Sequence, residues 1–444
     1  MTAETSRSAI DRIRPDLQRC VGCGNCLHVC PVYRQTGDET YVARGRNQLL
    51  KQYLDDPAEL NRDVPDRFDR CLLCGRCTAV CPQQVPNDQV TIAARQARLA
   101  AFGLSLPKTL AFRHLLTDRA RMGAALRLAG RLQRLLPASA AGSPNGLKHI
   151  PSEPTGLIRH LPLFLGGLGG GRALPPLAGR ALSALAPEIS RPGGGRKPLL
   201  RVAYFAGCAT EFCMPQVGRA LIDLVTELGA ELVLPRQQGC CGLAVYANGD
   251  LETARALAHH NLDVLRRTGA DLVVTGCATC GSALKDGWSR LAVDEAEDER
   301  FRDLAGRVRD ISELLVELGG YVRLPFTSRL PAGTRVTYHD PCHLARFQQV
   351  TAPPRTILRQ VFGDAFTEMT PNGCCGCGGS FSIADYRLSQ DIARQKIDAI
   401  EGSGADAVVN TCPGCMLQLI DNIARRRLPQ RVVHLVEAVE PARD

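Results

Sequence analysis

No stretch of this 444-residue chain offers the roughly 18 consecutive apolar residues that a membrane-spanning helix requires, so no such span is expected. Met1 to Ile10 hold no apolar core of the kind a secretory leader carries, so the cysteines are expected to stay reduced in the cytoplasm rather than form disulfides. Acidic residues are scarce in one place. Residues 101–200 carry 14 Lys/Arg against only Asp118, Glu153 and Glu188, a net +11 in a chain of net +9. Such a block suits an anionic membrane surface, giving possible peripheral contact with an inner membrane, or an acidic partner. Nucleic acid is not expected, because no binding module accompanies the charge. Nucleotide fingerprints are also missing. The glycine-rich run 161–171 closes no G-x-G-x-x-G register and follows no clear strand. No Ser/His/Asp or paired-carboxylate arrangement emerges either. Hydride chemistry needs a cofactor that this chain does not recognisably bind, so it is not expected to oxidise an alcohol by itself.

Cysteine, by contrast, is abundant, with 20 residues that fall into two kinds of pattern. Cys20, Cys23, Cys26 and Cys30, and again Cys71, Cys74, Cys77 and Cys81, follow the C-x2-C-x2-C-x3-C-P spacing of bacterial 4Fe-4S proteins. Three thiolates at i, i+3 and i+6 can wrap one face of a cubane, while the cysteine before proline reaches to the other cluster. The expected sets are therefore Cys20, Cys23, Cys26 and Cys81, and Cys71, Cys74, Cys77 and Cys30. Structural zinc would need only two separated pairs and neither the third cysteine nor the proline.

Length predicts about three domains. Residues 12–102 read as a two-cluster ferredoxin-type domain with helices near 45–54 and 89–102. Residues 103–199 read as a basic, partly helical connector, with a helix near 119–136 and a flexible Pro/Gly hinge at 191–198. From 200 onward, short β-branched runs alternate with helical segments, the pattern of an α/β domain with a mainly parallel sheet. Strands are expected at 201–205, 231–234, 271–275, 335–338, 406–410 and 432–435, and helices at 216–228, 251–267, 383–401 and 416–426. The fold class is thus α+β and α/β, a helical dicluster domain followed by a duplicated cysteine-rich α/β domain, with modules at 200–325 and 326–440.

The duplication rests on the cysteines. Cys208, Cys240-Cys241-Gly242 and Cys277-x-x-Cys280 match Cys342, Cys374-Cys375-Gly376 and Cys412-x-x-Cys415. The interval from the first cysteine to the pair is 32 residues in both, and from the pair to the C-x-x-C it is 36 and 37. Cys208, Cys240, Cys277, Cys342 and Cys412 each follow an expected strand closely, where ligands of open α/β sheets gather.

Gln238-Gly239-Cys240-Cys241-Gly242-Leu243 and Asn372-Gly373-Cys374-Cys375-Gly376-Cys377-Gly378-Gly379 resemble the CCG modules of heterodisulfide reductase catalytic subunits. They also resemble the iron-sulfur subunits of glycolate, D-lactate and glycerol-3-phosphate oxidoreductases. Pro31-Val32-Tyr33, Gly37-Asp38 and Ala43-Arg44-Gly45-Arg46 are further similar to the glycolate oxidase type. The resemblance implies two ferredoxin-type 4Fe-4S clusters and two non-cubane 4Fe-4S clusters. The latter would lie on Cys208, Cys240, Cys241, Cys277 and Cys280, and on Cys342, Cys374, Cys375, Cys412 and Cys415. It implies an oxidoreductase subunit that takes electrons from a separate FAD-linked oxidase subunit and delivers them to a quinone or other acceptor. The complete cysteine sets keep an alternative beside it, a heterodisulfide reductase-like subunit reducing a disulfide, and a pure relay of a respiratory complex is a third reading. Cys213 and Cys377 are read as apolar filler or extra ligands. His339 and His343 are read as loop histidines near the metal or as proton donors. His28 reads as a surface or tuning residue, and Arg44 and Arg46 either offset cluster charge or face solvent.

Overall fold

The computed structural model describes residues 9–55, 64–140, 157–161, 170–322 and 326–442. Most of the glycine-rich run 161–171 lies outside them. The N-terminal part is helical, with short helices where cysteines are dense. Pro31 opens the helix Pro31–Thr36 directly after Cys30, and Gly37 closes it in the left-handed conformation at φ 66°. Proline suits that first turn because its φ is preset and its missing N–H is not needed there. Two longer helices, Ala43–Asp55 and Asn87–Phe102, each start two residues before the expected position. Between them they bury Leu50, Tyr53, Val90 and Ala97 against Leu17 and Phe68.

The basic stretch is more tightly packed than its composition predicts. Strands β1 (Ala138–Ala140), β2 (Leu157–His160) and β3 (Ala173–Leu174) form a small antiparallel sheet. The helix Arg119–Gln133 ends short of the expected residue 136. Strand β4 (Ile189–Ser190) pairs antiparallel with the first module's sheet, Arg191 Nε lies 2.8 Å from Glu231, and Leu199 N donates to Gly229 O at 2.9 Å. The expected hinge is thus pinned at both ends. Part of the positive charge is neutralised internally, because Arg113, Arg119 and Arg172 pair with the nearly buried Asp250, Glu211 and Asp421.

In the first module, β5 (Arg201–Tyr204), β6 (Glu231–Val233), β7 (Leu272–Thr275) and β8 (Val308–Asp310) are parallel in the order β6-β5-β7-β8, with β4 outside β6. Strand β8 was not expected. Three residues between the helices Glu295–Arg307 and Ile311–Val322 are too few for alternation to register. The second module repeats the order. After β9 (Phe326–Ser328), the strands β10 (Val336–Tyr338), β11 (Ala407–Asn410) and β12 (Arg431–His434) are parallel, and β13 (Val439–Pro441) returns antiparallel to β9. A single bridge from Val336 to Phe366 stands where β6 stands in the first module. In both sheets the first strand has neighbours on opposite sides, so the connections leaving it and its neighbours diverge at the carboxyl ends and open a crevice there.

The modules share one interior. Val202, Tyr204 and Val274 pack with Tyr338, Val409 and Val433. Ala278 N donates to Thr411 O at 3.0 Å across the join. His434 Nδ1 accepts from Val436 N, so Nε2 carries the proton that reaches Gly276 O at 2.7 Å. Burial keeps that imidazole neutral by depressing its pKa to about 4.

Candidate metal centres

In the dicluster part, Cys20, Cys23, Cys26 and Cys81 line one cavity, while Cys30, Cys71 and Cys74 line a second and Cys77 borders both. The fold therefore brings the fourth cysteine of each quartet to the other quartet's three. Arg46 is buried beside the second set, its Nη1 bonded to Tyr41 O at 2.7 Å. Burial alone would push the Cys71 thiol up, but Arg46 and Arg95 hold it below the usual thiol value. The two arginines left undecided by the sequence both border cysteines: Arg46 is buried beside the second set, while the half-exposed Arg44 lines the cavity of the first and lies 3.7 Å from Glu39. His28 is exposed.

Each α/β module brings its five cysteines to the carboxyl edge of its sheet. Cys208 and Cys342 follow the first strands, β5 and β10. The Cys-Cys turns follow β6 and its bridge-sized counterpart, and Cys277 and Cys412 cap the helices after β7 and β11. Gly242 and Gly376 stand at φ 81° and 84°, and each donates its N–H to the first sulfur of its pair at 3.4 Å. A Cβ on Gly376 would come 2.3 Å from Ser389 O, so glycine is required there by space as well as by φ. The supports repeat as well. Gln238 bonds to Tyr204 O and Ala206 N, and Asn372 bonds to Tyr338 O and Asp340 N. The single tryptophan, Trp288, holds Cys241 O through Nε1 at 3.0 Å.

These donors fit a metal cluster. All 20 cysteines are free, and Cys375 Sγ and Cys415 Sγ are 3.6 Å apart. A disulfide needs about 2.05 Å, whereas two thiolates each about 2.3 Å from one tetrahedral metal stand about this far apart. Hydrogen bonds from neighbouring thiols hold Cys241, Cys375 and Cys412 well below the ordinary thiol range. The same sharing, added to burial, pushes Cys208, Cys374 and Cys415 well above it. Sulfurs packed this closely cannot all ionise without cations among them.

Both sets of five open into one cavity of about 280 Å³, whose far wall is the dicluster part at Cys71 and Cys74. Cys74 and Cys30 pack in one apolar group with Cys342, Cys374 and Phe381. Arg346 Nε donates to Cys74 O at 2.6 Å and Arg76 Nη2 to Asn372 O at 3.3 Å. The two sets also approach one another, since Thr279 Oγ1, from the first module, lies 3.5 Å from Cys412 Sγ and 3.3 Å from His343 Nδ1. The remaining cysteines part company. Cys377 lines the cavity with its thiol pushed up to about 12 by burial, while Cys213 packs against the shared apolar core.

Sequence reasoning missed Trp288, Arg95 and Lys396. Lys396 is fully buried beneath the second set, with Nζ 2.6 Å from Asn372 Oδ1 and its pKa lowered to about 8 by burial. A signal was available, for Lys396 interrupts the apolar face Ile392, Ala393, Ile397 and Ile400 of the helix Tyr386–Gly402.

A family profile described as a 4Fe-4S dicluster domain matches residues 16–85, and one described as a cysteine-rich domain matches twice, at 202–285 and 336–420. The chain is 26% identical to the glycolate oxidase iron-sulfur subunit of Escherichia coli, covering 96% of this chain and 94% of that protein. It is also 26% identical to a subunit of the CoM/CoB fumarate reductase of Methanothermobacter marburgensis, covering 99% of this chain and 76% of that protein. Identity to the probable glycolate oxidase iron-sulfur subunit of Bacillus subtilis is 30% over 441 residues, 95% of this chain and 93% of that protein. A match of that identity along nearly the whole of both chains, over the same dicluster and duplicated cysteine-rich parts, places this protein in the glycolate oxidase iron-sulfur subunit family.

Proposed function

We propose that this chain is the iron-sulfur electron-transfer subunit of a flavin-dependent 2-hydroxy-acid oxidoreductase, with glycolate or D-lactate as electron donor. It takes electrons from a separate FAD subunit and passes them to a quinone or another respiratory acceptor. The observation that carries this reading is the unbroken succession of cysteine sites. The exposed Cys23 and Val21 mark the outermost site, Cys74 adjoins Cys342 and Cys374, and Thr279 brings the two modules together. Iron-sulfur clusters held along that line would accept and pass single electrons. In this reading the two quartets hold 4Fe-4S clusters and each set of five holds a non-cubane cluster.

Anaerobically purified protein is expected to be brown and to carry about 16 Fe per chain. It should co-purify with an FAD protein and support glycolate- or D-lactate-dependent dye reduction. A colourless protein holding zinc would sink the cofactor assignment. A brown protein with no hydroxy-acid-dependent reduction would sink the partner assignment. The complete ten-cysteine complement supports a second reading, a subunit reducing a disulfide at the modules. Reoxidation of the reduced protein by a disulfide is its test. If neither reaction occurs, yet another donor reduces a quinone through the complex, the pure relay reading stands.

Peripheral membrane contact belongs to the same proposal. No helix among the described residues is long and apolar enough to cross a membrane. On the helix Arg119–Gln133 and the turn after it, Leu128, Leu132 and Leu135 share one exposed face beside the exposed Arg127, Arg131 and Arg134. An apolar stripe edged by arginines suits an anionic bilayer surface. Binding to vesicles containing anionic lipid is expected, weakening with salt and lost when the three leucines become serine. Equal binding to neutral vesicles would contradict it.

A further inference from the structure

The two modules repeat one another closely enough that a departure from the repeat carries information. Phe205 follows Tyr204 at the end of β5 and donates its N–H to Val274 O at 2.8 Å. His339 follows Tyr338 at the end of β10 and donates its N–H to Val409 O at 3.0 Å. They are the same position of the repeat, three residues before Cys208 and Cys342. Their side chains have different surroundings. Phe205 meets the edge of Trp288 with ring centroids 6.4 Å apart, inside an apolar core. His339 is 1% exposed, and neither ring nitrogen has a nitrogen or oxygen hydrogen-bond partner among the described residues. A buried imidazole whose nitrogens meet no nitrogen or oxygen partner is costly unless something takes its lone pair. The atoms in reach are sulfurs: a ring nitrogen of His339, Cys375 Sγ and Cys415 Sγ all lie within 4.8 Å of one another.

We infer that His339 is a nitrogen ligand to iron in the second module, so that its cluster has a mixed sulfur and nitrogen donor set while the first module's is all sulfur. The inference rests on the proposed reading that the second module holds an iron-sulfur cluster. Neutral imidazole is the form that ligates. Imidazole is an accepted ligand for iron in clusters otherwise held by thiolate, and it raises their potential. The neighbouring His343 is not equivalent. Its Nδ1 lies 3.3 Å from Thr279 Oγ1 and its ring packs on Phe347, with centroids 5.2 Å apart.

The test is spectroscopic, made on the whole chain labelled with 15N-histidine. In the paramagnetic state of the second module's cluster, one strong hyperfine coupling to a histidine nitrogen is expected. It should survive His343→Phe and vanish in His339→Phe, which installs the residue the first module already carries at this position. The variant's cluster should titrate at a lower potential with iron content unchanged. Labelled wild-type protein is informative even if the variant fails to fold. Full iron content with only weak couplings, of the size a hydrogen-bonded nitrogen gives, would overturn the inference and leave the cluster reading standing. Iron near half the expected content, with signals from the quartets alone, would overturn both.

Discussion

Cys74→Ser is expected to cut the proposed electron path at its middle. Cys74 is buried, its carbonyl is held by Arg346 Nε at 2.6 Å, and its side chain lies in the apolar group containing Cys30, Cys342 and Cys374. Serine keeps the size and the backbone bond but replaces a soft thiolate with a hydroxyl that iron in such sites binds poorly. Loss of a second-layer partner alone costs about 10- to 100-fold in metal affinity or activity, and loss of a ligand should reach at least the upper figure. Iron should fall by about 4 per chain, and donor-dependent reduction of the terminal acceptor by about 100-fold or more. The outer site on Cys20, Cys23, Cys26 and Cys81 should remain reducible. Cys213→Ser, on the side chain that packs into the apolar core away from the cavity, should leave both iron and rate unchanged. Full iron and full rate in the Cys74 variant would remove that site from the path.

What the sequence makes legible here follows from how locally each feature is written. The quartets, the two Cys-Cys-Gly turns and the six main strands are encoded over a few residues each, and their expected positions agree with the structure to within a residue or two. Features set by distant partners are silent. Strand β8 is held by pairing with β7, and the second module's counterpart of β6 has shrunk to one bridge at Phe366, where no β-branched run marks it. The charge of the connector reads as available for outside partners, yet Arg113, Arg119 and Arg172 are paired with acids of the modules. Likewise, His339 and His343 look alike beside Cys342 in the sequence. Their surroundings separate them: His339 is equivalent to Phe205 and lies among Cys375 and Cys415, while His343 meets Thr279 and Phe347.

Arg95→Met is expected to loosen the dicluster part from the first module and to shift the potential of the site it borders. Arg95 is buried on the helix Asn87–Phe102, where Nη2 reaches Phe68 O and Cys71 O at 2.7 Å, and Nη1 reaches Ala247 O in the first module. One guanidinium therefore holds the loop carrying Cys71 and fastens it to the neighbouring module. Each carbonyl left dry costs about 1–3 kcal/mol, and entering water recovers part of that, so a loss of about 3 kcal/mol is expected in urea unfolding of the loaded protein. Removing a cation beside Cys71 should also make the reduced, more negative state harder to reach, lowering the potential of the cluster proposed on Cys30, Cys71, Cys74 and Cys77. Gly249→Ala separates the two roles. Gly249 stands at φ 87°, and a Cβ there would lie 2.6 Å from the Arg95 backbone, wedging the same contact apart without changing charge. Both variants should lose stability and exchange amide hydrogens faster near Ala247. Only Arg95→Met should move the potential, because only it removes a charge. A Met variant with wild-type stability and potential would show that the fastening lies elsewhere, while a matching shift in Gly249→Ala would trace the potential to docking rather than to the arginine's charge.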